Sequence, residues 1–462
     1  MWSCSSSAGR RRQWTLALVS LAALLEKADE ALLPAVYNEA ACYPLATCAA
    51  ARHDRASVVA AGAFLWAVAT LLVGASGTIL QMAIARGFNG VVLALVVPAI
   101  YSLVADYSDD ATRGSAFGWV LMAQSMGPVV GGSLGILLAP TTFLGVIPGW
   151  RLAFYVVALI SFSLAALTWL LAADPRPIDI TKTKALTTTL SEIVREAKDV
   201  VRVPTFLIIV AQGVAGSLPW SALNFAAMWL ELVGFTHWAT TVVTALNHLA
   251  NALGALFAGF VGDPLARRFP NKGRVAMAQV CTASTVPLAA ILLLALADDP
   301  AAGLAYAAAF FVFGFVTPWC PVATNNPIFA EIVPEKARTT VYALDRCFES
   351  VFASFGPTIV GILAERVFGY QPAASGESVE ADRENAAALG KAIFAEIAVP
   401  ITVCCLTYSA LYWTYPADRQ RAQTMAALHT ASEEQDGDCE ACLPAIATAA
   451  DGLNQALLTR TE

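Results

Sequence analysis

Charge is scarce in this sequence. Only 14% of its 462 residues are Asp, Glu, Lys or Arg, and it has just four histidines. Soluble domains carry about 25% charged residues, so a soluble globular enzyme is excluded. With 57% hydrophobic residues, the chain can also bury too much surface to stay disordered. Chemical signatures are missing as well: no Gly-x-x-x-x-Gly-Lys loop to cradle a phosphate and no zinc-spaced His/Glu set. ATP-driven pumping and intramembrane hydrolysis have no support, an enzyme is not expected, and no metal or cofactor is implied. No Lys/Arg block interleaved with aromatics points to nucleic acid. No Asn-x-Ser/Thr acceptor reports sidedness. Most of the ten cysteines lie in apolar runs, where they act as small hydrophobes. Cys439 and Cys442 form a lone CxxC with no second pair.

What the sequence does have is long apolar runs, at about 14–37, 40–51, 56–76, 78–105, 116–139, 152–172, 205–233, 238–261, 275–297, 302–331, 340–364 and 391–414. The expected fold is all-α and polytopic, two pseudo-symmetric six-helix bundles in a bilayer. All the runs except the second are long enough to cross. Residues 40–51 would cover roughly 18 Å of a core about 30 Å thick. The positive-inside rule tests whether that run crosses. With a cytoplasmic N-terminus and twelve crossings, 22 of the 28 Lys and Arg fall inside. If the second run fails to cross, the bias is violated, so twelve spans with an abnormally short second helix is the expectation. The domains follow: a cytoplasmic N-terminus (1–13), a first bundle (14–172), a cytoplasmic linker (173–204), a second bundle (205–415) and a cytoplasmic polar tail (416–462). Within the linker Leu186, Leu190, Ile193, Ala197 and Val201 recur at helical spacing, which suggests an amphipathic helix on the membrane surface. The choice of membrane stays open: Ser3 to Arg12 lacks acidic residues but is short for a transit peptide.

Each half carries the same pair of signals. Ala50-x-x-x-Asp54-Arg55 follows the second run, and Gly259-x-x-x-Asp263, then Arg267 and Arg268, follows the eighth. One span-pair later, Asp106 precedes Arg113 by seven residues, and Glu331 precedes Arg338 by seven. Carboxylates beside arginines at helix ends can form ion pairs that hold one conformation closed and break when the halves rock. Such matched latches are what an alternating-access transporter needs.

These loops resemble the signature loop of the major facilitator superfamily. Arg86-Gly-Phe-Asn-Gly90, Gly127-Pro128-x-x-Gly131-Gly132 and Gly149-Trp150-Arg151 are similar to further features of it, and the resemblance covers essentially residues 14–416. Glu26-Lys27-Ala-Asp29-Glu30 through Pro34, with Ala105-Asp106-Tyr, look most like the spinster-like branch of plant and algal members. That resemblance implies secondary transport of an amphiphilic or lipid-like substrate, or of a small organic anion. The sequence departs from the pattern where Ala50 replaces Gly, where Val58-Val59 replace basic residues, and in the short second run. A missing exon between codons 37 and 42, or a transport-impaired homologue acting as a membrane receptor or scaffold, would explain the last.

Charge inside a membrane is costly and points to function. Glu26, Asp29 and Glu30 share one face of the first run, at i, i+3 and i+4. By helix rise they and Arg86 lie at similar depths, roughly 10–17 Å and about 12 Å. The expectation is that Asp29 or Glu30 binds a coupling proton while Arg86 tunes it and meets an anionic substrate group; a static buried pair is the bland alternative. Asn224, His248, Asn325 and Asn326 are the polar candidates in the second half. Pro318, Pro321 and Pro327 should leave an irregular segment around the last two. Gly127, Pro128, Gly131 and Gly132 permit close helix packing. Asp345, Arg346 and Glu349 read as a local ion-pair cluster.

Overall fold

The computed structural model describes residues 7–32, 54–138, 142–143, 147–175, 186–296, 302–372 and 378–427. The expected short second span at 40–51 lies outside the described residues. Those described form thirteen helices: α1 (Ser7–Leu32), α2 (Arg55–Ala75), α3 (Ile79–Asp106), α4 (Arg113–Leu138), α5 (Gly149–Leu171), α6 (Leu186–Val201), α7 (Pro204–Val233), α8 (His237–Arg268), α9 (Gly273–Ala295), α10 (Gly303–Ile332), α11 (Glu335–Val367), α12 (Val379–Tyr408) and α13 (411–427). A two-residue antiparallel ribbon, Thr142–Phe143 with Ile147–Pro148, bridges α4 and α5.

Nine of the described helices are long and apolar enough to cross a membrane: α2, α3, α5 and α7 to α12. A shorter apolar stretch, Arg12–Leu25, lies within α1. The outer faces agree with a lipid solvent. Trp169, Leu170, Leu304, Val399 and Leu406 are each at least 65% exposed, more apolar surface than a water-soluble monomer leaves open. The protein is therefore an all-helical, polytopic membrane protein.

Helix ends follow local chemistry. Asp54, Thr78, Thr236 and Ser378 accept hydrogen bonds from first-turn N–H groups of α2, α3, α8 and α12. Pro204 opens α7, where its missing N–H costs nothing. Gly234, at φ 110°, closes that helix in the left-handed region a β-carbon disfavours. Three wide, π-helical turns interrupt the second half, at Ile291–Ala295, Pro321–Asn325 and Leu363–Val367. The prolines around 318–327 thus widen α10 by a turn and do not break it.

In the first half α1 packs on α4 and α5, and α2 on α3 and α5. In the second, α8 packs on α10, and α12 on α7 and α9. The halves join where α4 packs on α8 and where α3 packs on α11, with α10 lying against both α4 and α3. At the first, a β-carbon on Gly118 would stand 2.9 Å from the Ala255 carbonyl oxygen, and one on Gly259 2.6 Å from that of Gly114. Glycine is what lets these two backbones touch. At the second, Tyr101, Phe117, Phe329 and Tyr342 stack mostly edge-on at 5.7–6.0 Å between ring centres, each pair contributing about 0.5–1.5 kcal/mol beyond its burial. This aromatic plug lies directly behind the charged end of the bundle.

Candidate functional site

At the end where α3 and α8 finish and α4 and α9 begin, five arginines meet five carboxylates. Arg55 pairs with Asp106 (2.6 Å) and with Asp174, to which its Nε donates at 2.7 Å. Arg338, from α11, reaches the other oxygen of Asp106 at 2.5 Å. Asp106 therefore holds one guanidinium from each half. On the opposite side of the same end, Asp263 of α8 accepts from the Gly114 and Ser115 N–H groups (2.8 and 2.7 Å) and from the Ser115 hydroxyl (2.7 Å). A carboxylate from the second half thus caps a helix of the first, where unpaired N–H groups and the helix dipole favour negative charge.

Glu331 of α10 anchors the remainder. It accepts from Arg274 Nε (3.1 Å) and the Tyr415 hydroxyl, and it forms an ion pair with Arg419, whose Nε stands 3.2 Å away without a hydrogen bond. Arg274 stands 3.8 Å from Asp263 and donates to the Asp110 carbonyl. Burial and the Glu331 carboxylate raise the Tyr415 phenol above its ordinary range, so it stays a donor. Arg419 on α13 also approaches Asp110 (3.8 Å) and donates to the Pro270 carbonyl. A groove of about 180 Å³ opens among Asp110, Ala266, Arg274, Glu331 and Arg419. The residues at the centre are buried: Arg55, Arg274, Asp263 and Glu331 are all under a tenth exposed. Charges desolvated this far persist only when paired, and here positive and negative groups balance.

The carboxylate and arginine seven residues apart do not pair in either half. Asp54 caps its own helix through Ala56 and Ser57. Asp106 takes Arg338 and Arg55, while Arg113 takes Asp110 at 2.5 Å. Arg338, seven residues after Glu331, leaves it for Asp106. Arg267 and Arg268 are exposed, the latter lying over the Phe269 ring. Asp174, Arg274, Tyr415 and Arg419 carry the network without any motif in the sequence to mark them; Arg274 stands just before the apolar run at 275–297, where it reads as one more loop arginine.

Away from this end the polar candidates scatter. Arg86 is 5% exposed, with its guanidinium 5.1 Å from the centre of the Phe154 ring. Glu26, Asp29 and Glu30 lie on the last two turns of α1, and their side chains fall outside the described residues. Asn224 is exposed and His248 half-buried. Asn325 accepts from the Tyr408 hydroxyl (2.8 Å), and the Asn326 carbonyl from Tyr342 (2.7 Å), so both tie helices together. Ser125 of α4 donates to Asn251 of α8 at 2.7 Å, a further polar link between the halves. Gly127 and Gly131 are buried and Pro128 half-buried, while a β-carbon on Gly132 would meet nothing within 4 Å.

Residues 13–357 match the family model of the Major Facilitator Superfamily. An MFS-type efflux pump of Mycolicibacterium smegmatis is 26% identical over 356 residues, 76% of each chain. Among solved structures, a bacterial homologue of the human lysosomal transporter Spinster, inward-facing and unoccupied, superposes with a TM-score of 0.60 at 18% identity, covering 88% of this chain and 98% of that one. The occupied inward-facing form gives 0.59 at 16% identity, covering 90% and 99%.

Proposed function

The chain belongs to the Major Facilitator Superfamily, and on that premise we propose that it is a secondary active transporter working by alternating access, here with its cytoplasmic side closed. The observation that carries this reading is the inter-half network at one end, Arg338 on Asp106 and Asp263 on the first turn of α4. Ion pairs that join halves at a single end are contacts a rocking motion would break. In this reading twelve spans form two six-helix bundles, both termini are cytoplasmic, and residues 186–201 form a linker helix at the inner surface.

The substrate class follows from the spinster-like neighbours together with a buried arginine, Arg86, in α3: an amphiphilic or lipid-like molecule, or a small organic anion. Asp29 or Glu30 would take the coupling proton. The test is reconstitution of the full chain into liposomes with a panel of lysophospholipids, sphingoid bases and small anions. Uptake above empty vesicles is expected for at least one of them. No uptake from a chain shown to be folded would favour a membrane receptor or scaffold instead, the reading that the short run at 40–51 favours. Transport whose pH dependence survives in D29N and E30Q would remove the proton role from α1.

A further inference from the structure

On α11, about two turns beyond Arg338, Asp345 is 5% exposed, and its Oδ1 is buried with no hydrogen-bond partner. Its neighbour Arg346 pairs with Glu349 (Nη1 to Oε2, 3.1 Å) and donates from Nη2 to the Tyr101 hydroxyl oxygen at 3.2 Å, across the boundary between the halves. The guanidinium also lies 5.3 Å from the Tyr101 ring centre. Tyr101 in turn donates to Gln124 Oε1 of α4 at 3.2 Å. Glu349 presses on α7, where a β-carbon on Gly213 would stand 2.6 Å from its Oε1. One guanidinium therefore serves Glu349 and Tyr101, while a second carboxyl, four residues before Glu349 on the same face, is left with an unsatisfied oxygen.

An ionised carboxylate with an empty oxygen in an apolar interior is strongly disfavoured, and a second carboxylate nearby disfavours it further. The surplus acid is Asp345, because Glu349 already holds the counter-ion. We propose that Asp345 is a proton-binding site in the second half of the transporter, protonated in the closed state and coupled to closure through Arg346. The inference rests on the transporter reading above. With the acid neutral, this turn of α11 carries no net charge, and Arg346 bridges to α3 through Tyr101. When Asp345 releases its proton to water, the turn becomes net negative. Arg346 is then drawn toward Asp345 and away from Tyr101, which loosens α11 from α3. The charged and titratable groups facing this turn are Tyr342, Glu349, Arg346 and Cys347 on α11 itself and Tyr101 on α3, whose Arg86 and Asp106 lie toward its two ends. From α12 comes Cys404, whose thiol donates to the Gln212 carbonyl at 3.1 Å, and from α6 Glu196, which accepts from Thr340. On α10, Glu331 is held at the charged end, and α7 offers no titratable side chain between Pro204 and Ala222.

The experiment is infrared difference spectroscopy of the full chain in lipid vesicles, titrated with acid and base, following the carbonyl stretch of protonated carboxyls. A titrating band is expected in the unaltered protein, absent in D345N and retained in E349Q. In R346Q, without the nearby positive charge, ionisation is harder and the band should persist to higher pH. Spin labels placed on the exposed residues Asp109 and Arg268 should report opening of the charged end as pH rises, a response lost in D345N. A band that survives in D345N, or one lost in E349Q and kept in D345N, overturns the proposal; so does an unmoved midpoint in R346Q. Failure of uptake with this band intact would sink the transport reading alone, whereas uptake with a band indifferent to D345N would sink this one.

Discussion

Replacing Asp263 with Asn should open the charged end while leaving the chain folded. The carboxylate accepts three hydrogen bonds from the first turn of α4, at 2.8, 2.7 and 2.7 Å. Bonds to a charged group contribute about 1.5–3 kcal/mol each, against about 0.5–1.5 for neutral ones. Asn keeps one acceptor oxygen, turns an NH2 group toward N–H donors, and removes the charge that the helix N-terminus favours. One bond is lost and the others weaken, a cost of about 3 kcal/mol to the closed state. Arg274 limits the damage, since it retains Glu331 at 3.1 Å. In the open state the carboxylate is hydrated, and the substitution there is nearly neutral. At about 1.4 kcal/mol per decade, the closed-to-open ratio should fall roughly a hundredfold. Pulsed electron resonance between labels at Asp109 and Arg268, in vesicles and in a background freed of reactive cysteines, would read the populations. Asp54→Asn is the control, because Asp54 caps only its own helix and should leave the distribution in place. An unchanged distance distribution in D263N, from protein that elutes and melts as folded, would refute the reasoning.

Four further outcomes are expected. Arg338→Ala removes one of the two guanidiniums on Asp106 and should open the same end by about 2 kcal/mol, less than a fully orphaned buried charge would cost; labelling kinetics of a cysteine placed at Thr339, which is buried against Ser102 of the first half, should accelerate accordingly. Gly118→Val sets a side chain against the Ala255 carbonyl and should hold α4 off α8, destabilising closure by about 1–3 kcal/mol. Gly132→Ala, which meets no neighbour, should leave closure alone and raise thermal stability by up to about 1 kcal/mol. Tyr415→Phe loses the hydroxyl that donates to Glu331 and should weaken the closed state by about 1 kcal/mol, seen as a smaller shift in the same distance distribution.

The helices were legible because lipid demands apolar runs of a fixed length, and composition alone imposes them. The charged end was partly legible. Asp106, Asp263, Glu331 and Arg338 stand at helix ends, where carboxylates and arginines are conspicuous against an apolar background. Their pairing was not, because sequence spacing reports neighbours along one helix, whereas Asp106 and Arg338 lie 232 residues apart. Arg419 was hidden in a polar tail where any arginine reads as solvated. Asp345 was visible as a charge in a span, but only its packing distinguishes an unsatisfied oxygen from a contented ion pair.

The wide turn at Pro321–Asn325 has a consequence for register. A π-helical turn is an α-helix with one residue too many, so everything beyond it is rotated by about 100° from where an unbroken helix would put it. Glu331 faces Arg274, Tyr415 and Arg419 on that rotated side. Deleting a single residue such as Val322 would restore the regular ladder and swing Glu331 away from all three, so that a shortening of about 1.5 Å would dismantle the network by phase and not by loss of any charge.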